Sequence, residues 1–441
     1  MLIIDGRLPV GARLPSERAL AEALRISRTT VTAAYTDLRD GGYLHARRGA
    51  RSTIALPQAP AAQAAESPAT VNLAVAALPA PATAVQDAFI EATGQSTAYL
   101  HQTGHDLRGV SALRTAIAER YCARGLPTSA DQVMVTSGAQ HAMVLILNTY
   151  TQPGDRVLVE QPTYHGALAA IAAAGARPVP VPLAARGWDL DALRAAVRQL
   201  APSLAYLIPD NQNPTGLTMP ASDRKRLADI ISETRTRTII DETMTDVWLD
   251  EPVPAPLAAS MTTSAELAIT VGSMSKSFWG GMRIGWIRAE PSTLATIRAV
   301  RPAIDLGTSV IEQLAAAILL TRRTDDVLPE RRDILRARRA LLLDLLNQHL
   351  PEWRPLPGGG GMSLWVKLPA PVSSALCASA SRLGVELPPG PRFGVDGTLE
   401  RFIRIPYTLP EEQLTMAIEL VGRAWRSITG SAATDPAAMV V

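Results

Sequence analysis

From residue 132 to residue 271 the chain alternates between two textures. Short runs such as QVMVT, RVLVE, RPVPV, LAYLI, RTIID and LAITV have consecutive apolar residues at their centres, the pattern of strands covered on both faces. Between most of them lie HAMVLILNTY, YHGALAAIAAAG, WDLDALRAAVRQL and ASDRKRLADIISE, where apolar residues recur at helical spacing. Strand, helix and strand in this rhythm predict an α/β domain around a mostly parallel sheet. Farther on, a long helix over 330–350 precedes MSLWVKL and FIRIPY, each strand-like with a helix beside it. They predict a smaller α+β subdomain. A run of four glycines, 358–361, lacks the Lys-Ser/Thr of a phosphate loop and reads as a close backbone approach before MSLWVKL.

The first 56 residues have a different pattern. Ser16 follows Pro15 and can cap a helix with Ala19, Leu20, Ala23 and Leu24 inward. A turn at Arg25-Ile26 follows. Ser27 then opens a second helix whose Val31, Ala34, Tyr35 and Leu38 repeat at i, i+3, i+4 and i+7. That spacing turns Arg28, Thr29, Thr30 and Thr32 outward at the helix start, where a recognition helix presents its base-reading side chains. Gly41-Gly42 end it. Tyr43-Leu44 and 52–54 can pair as a hairpin with Arg47, Arg48 and Arg51 at its tip. The stretch PQAPAAQAAESPAT has no amphipathic period and reads as a linker. The predicted organisation is a head over 1–56, a linker over 57–71 and a body over 72–430.

Charge sharpens this division. Residues 1–56 hold nine arginines and five acids, whereas the other 385 residues are slightly acidic. A basic head on an acidic body suits an anionic partner such as nucleic acid. Two isolated cysteines, Cys122 and Cys377, form no disulfide framework and suit a reducing, cytoplasmic setting. The six histidines have no metal-ligand spacing, and no run approaches the ~20 apolar residues of a membrane helix.

Five stretches of the body carry chemistry. VMVTSGAQHAM runs from a strand through Ser137, Gly138 and Ala139 into a helix, whose free N–H groups can hold phosphate. EQPTYHG puts Tyr164 at a strand end, where it can stack on a flat ring. PDNQNPTG carries Asn213, and TIIDET ends a strand on Asp241. SMSKSFWGGMRIG offers Ser273, Lys276 and Arg283. Only three of the 43 basic residues are lysines, and Lys276 is one. An arginine would keep the charge but could not attack a carbonyl as a neutral amine.

The order P-S-E-R, S-R-T-T-V, G-Y-L, R-x-G resembles the winged helix of the GntR regulators over 7–54. The resemblance implies DNA contacts at Arg18, Arg28, Thr29, Thr30, Thr32, Arg48 and Gly49. Members of that family have a longer first helix before the GRLP segment, so the head is expected to have its first helix truncated. From about residue 72 to 425 the chain resembles fold-type I, class I/II aminotransferases. That resemblance implies pyridoxal 5'-phosphate as cofactor, with Lys276 as its Schiff-base lysine, Asp241 on the ring nitrogen, Asn213 on the ring hydroxyl and Tyr164 stacked on the ring. Ser137, Gly138, Ala139, Ser273 and Arg283 would hold the phosphate, and Arg404 would clamp a substrate carboxylate. Tyr99 would reach a neighbouring subunit's site. Many relatives have a tyrosine on the ring hydroxyl where this chain has Met244.

Head and body together resemble the MocR subgroup of GntR regulators. The implied function is transcription control by a DNA-binding homodimer, head-to-tail in many members, that senses pyridoxal phosphate or an amino compound. A working aminotransferase with a vestigial head, and a cofactor reservoir with neither activity, are the competing readings.

Overall fold

The computed structural model describes residues 13–40, 44–45, 52–54, 71–184 and 187–430. In the head, α1 (Glu17–Leu24) begins where the Ser16 hydroxyl accepts the Ala19 N–H at 3.2 Å. It ends at Arg25, whose φ of 53° turns the chain. The Ser27 hydroxyl accepts the Thr30 N–H at 3.1 Å and so caps α2 (Arg28–Asp40). Strands β1 (Leu44–His45) and β2 (Thr53–Ile54) pair antiparallel, Leu44 opposite Ile54, as the hairpin expectation required. Ala21, Val31, Tyr35 and Leu44 form the small buried cluster, with Leu14, Leu20 and Leu38 against it. Here the inward-facing set differs from expectation. Ala19, Ala23 and Ala34 are exposed, and Leu24 is 58% exposed. The two-turn α1 meets α2 through Leu20 and Ala21, which leaves Ala23 and Leu24 on its outer side.

The body begins at β3 (Val71–Asn72), followed by α3 (Ala82–Gln95) and α4 (Ser111–Ala123). Then comes the predicted alternation: β4 (Val133–Thr136), α5 (Ala139–Tyr150), β5 (Arg156–Gln161), α6 (His165–Ala173) and β6 (Arg177–Ala184). It continues with β7 (Gly187–Trp188), α7 (Leu190–Leu200), β8 (Leu204–Leu207), α8 (Ala221–Thr234), β9 (Thr238–Asp241) and β10 (Ala268–Ser273). All six apolar runs are strands. The sheet order is β4-β11-β10-β9-β8-β5-β6-β7. It is mixed rather than uniformly parallel, because β11 (Gly285–Arg288) runs against both β10 and β4, and β7 against β6. β11 went unseen in the sequence because GWIR is four residues long and follows β10 after a π-helical segment (Ser275–Trp279) and a 3-10 turn (Gly280–Met282) instead of a periodic α-helix.

One apolar cluster fills the face covered by α3, α4, α7, α8 and α10 (Val310–Arg322), and a second the face covered by α5, α6 and α9 (Pro291–Val300). The long helix α11 spans Thr324–His349 and starts six residues before its expected position. Pro329 lies inside it; buried Val327 and Leu328 hold the preceding turn helical despite the missing N–H. The smaller subdomain follows. Strands β12 (Arg354–Pro355), β13 (Ser363–Lys367) and β15 (Phe402–Pro406) form its sheet, and α12 (Ser373–Arg382) and α13 (Glu411–Gly430) flank it. β14 (Val385–Glu386) pairs in parallel with β3, so the first described residues of the body belong to the subdomain built from its last.

Three glycine contacts place the site. A Cβ on Gly285 would lie 2.6 Å from the Gly138 carbonyl carbon, so β11 touches the start of α5 backbone to backbone. A Cβ on Gly358 would lie 2.4 Å from the Thr215 carbonyl oxygen, and one on Gly360 2.1 Å from Asn211 Oδ1. The glycine run is the expected close approach, and it packs against the Asn213-containing loop. Replacing Gly285 by alanine should cost about 1–3 kcal/mol, because neither backbone can retreat. A fall in thermal midpoint measured by circular dichroism checks this, and an unchanged midpoint refutes the contact.

Candidate functional site

Asp241, Ser273 and Lys276 gather at the carboxyl ends of neighbouring parallel strands, where α/β sheets form their ligand crevices. The cavity there measures about 400 Å³. Ala139, Tyr164, Asn213, Asp241, Ser273, Lys276, Arg283 and Arg404 all line it. Eight of the ten residues singled out for cofactor and carboxylate are thus brought together. Ser137 and Gly138 do not line it. The Ser137 N–H donates to His141 Nδ1 at 3.0 Å and its carbonyl accepts from Arg283 Nη2 at 3.0 Å. Gly138 lies under the Arg283 guanidinium, where a Cβ would come within 2.7 Å of Nη2. Tyr99 packs on the body's own core and is not in the lining.

Each wall has a physical role. Asp241 accepts the Tyr206 hydroxyl at 2.6 Å and the Thr243 N–H at 2.8 Å, which fixes the carboxylate while it faces the cavity. Burial, then the Asp241 charge, push the Tyr206 phenol well above its ordinary value, so it remains a proton donor. Tyr164 stands edge-on to His165 at 5.0 Å, and Gly166 leaves room for its ring. Met244 is buried in the lining, and no tyrosine takes its place there other than Tyr164. Arg283 sits at φ 52°, a left-handed backbone that brings its guanidinium over the α5 N-terminus. Such strain persists where the surroundings enforce it, often at ligand sites.

Lys276 donates to the Ala76 carbonyl at 2.7 Å, and Arg404 donates to the Ala74 carbonyl. A strap of residues 74–76, just beyond β3, thus closes the cavity over its two deepest cations. Desolvation, with Arg404 next, lowers the Lys276 amine to about 8, Asp241 opposing. Burial and then Arg392 lower Arg404 to about 10. The Arg404 Nε and the hydroxyl of Thr243 are buried without a partner among the described residues. Gln140, His165, Thr243, Ser275 and Arg392 also line the cavity and were not singled out in the sequence. Gln140, His165, Thr243 and Ser275 each stand within two residues of one that was, whereas Arg392, well before Arg404 in the chain, carried no such signal.

An amine, a fixed carboxylate, a flat aromatic wall and a helix start beside an arginine are the donors that a phosphate-bearing pyridine aldehyde requires. Among the described residues no group of three His, Cys, Asp or Glu side chains is placed to hold a metal ion. In the head, Arg28, Thr29 and Thr30 are exposed at the start of α2. Thr32 is partly buried and its hydroxyl donates to Glu17 at 2.8 Å, while Arg18 pairs with Glu22 at 3.2 Å. Arg48 and Gly49 lie outside the described residues. No described helix is long and apolar enough to cross a membrane.

This fold and this cavity define an aminotransferase-like protein, and residues 69–421 match aminotransferase class I and II. The chain belongs to that family, in which dependence on pyridoxal phosphate is a shared trait. Residues 1–54 match the bacterial regulatory proteins of the gntR family, giving the two-part build of the MocR regulators. Over 436 residues the chain is 29% identical to the uncharacterized HTH-type transcriptional regulator YdcR of Escherichia coli, covering 91% of this chain and 92% of YdcR. It is 29% identical over 381 residues to the probable rhizopine catabolism regulatory protein MocR of Rhizobium meliloti, covering 80% and 76%. The crystal structure of LysN, the α-aminoadipate aminotransferase of Thermus thermophilus, complexed with N-(5'-phosphopyridoxyl)-L-leucine, superposes with a TM-score of 0.76. It is 28% identical and covers 82% of this chain and 94% of LysN.

The lowered amine of Lys276 sets a pH dependence. A lysine near 10.5 when unfolded and about 8 when folded carries its folding penalty below pH 8. That penalty is relieved as pH rises from about 8 to 10.5. The rate at which pyridoxal phosphate reacts with the cofactor-free protein should therefore rise about tenfold per pH unit below 8 and level off above it. Stopped-flow absorbance from pH 6 to 9.5 tests this; a flat profile refutes a titrating amine.

Proposed function

We propose that this protein is a DNA-binding transcriptional regulator whose body binds pyridoxal 5'-phosphate on Lys276 and senses the cofactor or an amino compound. The observation that carries the proposal is the meeting of Lys276, Asp241 and Arg404 under one strap that continues from the linker to a GntR-type head. When bound, the cofactor supplies an aldehyde that forms an imine with an amine and a ring that accepts electrons. In this reading Asp241 keeps the ring nitrogen protonated, Asn213 faces the ring hydroxyl and Tyr164 stacks on the ring. Arg283, Ser273 and the N-terminus of α5 hold the phosphate. Ser137 and Gly138 act through the backbone that positions Arg283. Arg404 takes the carboxylate of an amino acid, the class of compound joined to the phosphopyridoxyl group in LysN.

Ligand binding competes directly with the strap. With the cofactor held on Lys276, that amine would no longer be free to donate to Ala76, and a ligand carboxylate on Arg404 would take the place of the Ala74 carbonyl. Residues 74–76 would then lose both anchors, and in this reading their release is what the DNA-binding head would respond to. Linkage requires the converse too: operator DNA must alter affinity for the effector by the same factor. Arg28, Thr29 and Thr30 read bases in this proposal, and two heads of a homodimer meet two half-sites. A second reading, a working aminotransferase, draws on the same lowered amine. Met244 weighs against it, because a ring hydroxyl without a tyrosine partner is less tightly controlled.

Two experiments decide. Lys276→Ala should abolish the visible absorption that pyridoxal phosphate gives the protein, and an unchanged spectrum would place the amine elsewhere. Arg28→Ala should weaken binding to DNA from upstream of the protein's own gene by about 1–3 kcal/mol, and random DNA far less, in fluorescence anisotropy at physiological salt. Equal loss on both would reduce Arg28 to a phosphate contact.

A further inference from the structure

A second cavity, of about 330 Å³, opens outside the cofactor cavity, between residues 78–84 and α11. Arg331 lines it and is only 6% exposed. Its Nη1 donates to the Pro79 carbonyl at 2.8 Å, but Nε and Nη2 are shut off from water and have no partner among the described residues. These two nitrogens share one edge of the guanidinium, the edge that grips two oxygens of an anion at once. Burial lowers Arg331 to about 10, with Glu330 opposing, so it is charged at neutral pH. The two carboxylates in the lining do not neutralise it: Glu330 is exposed, and Asp326 pairs with Arg323 at 2.7 Å.

The start of α3 supplies more donors to the same cavity. Its N-cap is Pro81, which has no N–H and no side chain able to cap. The first bond of the helix runs from the Val85 N–H to the Pro81 carbonyl at 3.0 Å. The N–H groups of Ala82, Thr83 and Ala84 are therefore left over by the helix, no side chain caps them, and all three residues line the cavity. A helix of 14 residues also brings the positive end of its dipole there. Arg338, half-buried in the lining, gives Nη1 to the Thr408 carbonyl at 2.6 Å and adds its charge. A free guanidinium edge and a bare helix start in one cavity offer donors from two walls, which suits an oxyanion with more than two oxygens.

We propose that this cavity is a second anion site, which takes a phosphate group between Arg331 and the start of α3. It shares no lining residue with the cofactor cavity. A carboxylate has oxygens for the guanidinium edge alone, whereas a phosphate has oxygens for both walls. The volume is roomy against the ~30 Å³ that a water takes in the liquid, so the rest of a phosphate ester can follow its phosphate in. The bond from Arg331 to Pro79 uses the other side of the guanidinium and stays in place when the anion binds. Phosphate thus ties residues 79–84 to α11, starting three residues beyond the strap carbonyl of Ala76 that holds Lys276.

The test titrates the full-length protein, loaded with pyridoxal phosphate and freed of the excess, with inorganic phosphate by calorimetry, and with acetate at equal ionic strength for comparison. Phosphate is expected to bind at least about tenfold more tightly than acetate, and Arg331→Gln to lose at least about tenfold in phosphate affinity. Ala82→Pro removes one helix N–H where proline is tolerated, and should weaken phosphate about threefold or more. Phosphate should also raise the thermal midpoint of the wild type and leave that of Arg331→Gln unmoved. No phosphate binding, acetate binding equally well, or an affinity unchanged in Arg331→Gln overturns the proposal. Should Arg331→Gln fail to fold, Ala82→Pro decides, and an unchanged affinity there overturns it. Glycerol 3-phosphate identifies the source of the phosphate: tighter binding than inorganic phosphate points to an ester, equal binding to the free ion, and both sustain the site.

Discussion

Arg404 is buried and Lys276 half-buried in one cavity, neither of them in an ion pair among the described residues, and much else in the body follows from that. Uncompensated charge in a protein interior is costly. Here it is tolerated because the carbonyls of Ala74 and Ala76 take one donor from each cation. Carbonyl dipoles compensate a full charge only partly, which is why both groups are depressed and the Arg404 Nε has no partner among the described residues. The cavity is thus an incomplete electrostatic structure, which the proposed anionic ligand would complete.

The scaffold holds this arrangement by backbone contact. Val271 lies opposite Asp241 in the β9–β10 pair, so the carboxylate, Ser273 and Lys276 emerge from one edge of the sheet. The reversed strand β11 then returns past that edge, and Gly285 lets it touch the start of α5. Arg283, just before β11, is thereby set against the helix whose N-terminus faces the cavity. On the opposite wall the glycine run 358–361 locks the Asn213-containing loop against the smaller subdomain. Small residues serve here because two backbones must come closer than any Cβ permits.

The strap joins these two halves of the body to the chain that precedes them. β3 pairs with β14, anchoring residues 71–72 to the subdomain that also carries Arg404. Residues 74–76 then cross the cavity. Anything that displaces their carbonyls acts on a segment whose upstream neighbour is the linker to the head. A regulator needs such an element, with two arrangements that a ligand can tip, and an enzyme lid has the same requirements. The strap would serve a sensor or an enzyme, and Met244 in the lining together with the GntR-type head favours sensing.

The sequence by itself determined the alternating α/β body, its six apolar strands and the helix-turn-helix with its hairpin, although β6, near one edge of the sheet, is mostly half-buried or exposed rather than covered on both faces. Each depends on local periodicity, caps and turn residues, which are written contiguously. It also marked Lys276, Asp241, Asn213, Tyr164, Arg283 and Arg404, because each has a chemically distinctive residue type in a distinctive short context. Tertiary structure alone decided the rest. No periodicity could show that β11 runs antiparallel or that β3 belongs with β14, since pairing partners lie far apart in the chain. The outward turn of Leu24 depends on how α1 meets α2, not on the spacing within either helix. Arg392 and the strap carbonyls gain meaning only from what stands across the cavity, and a backbone oxygen has no letter in a sequence.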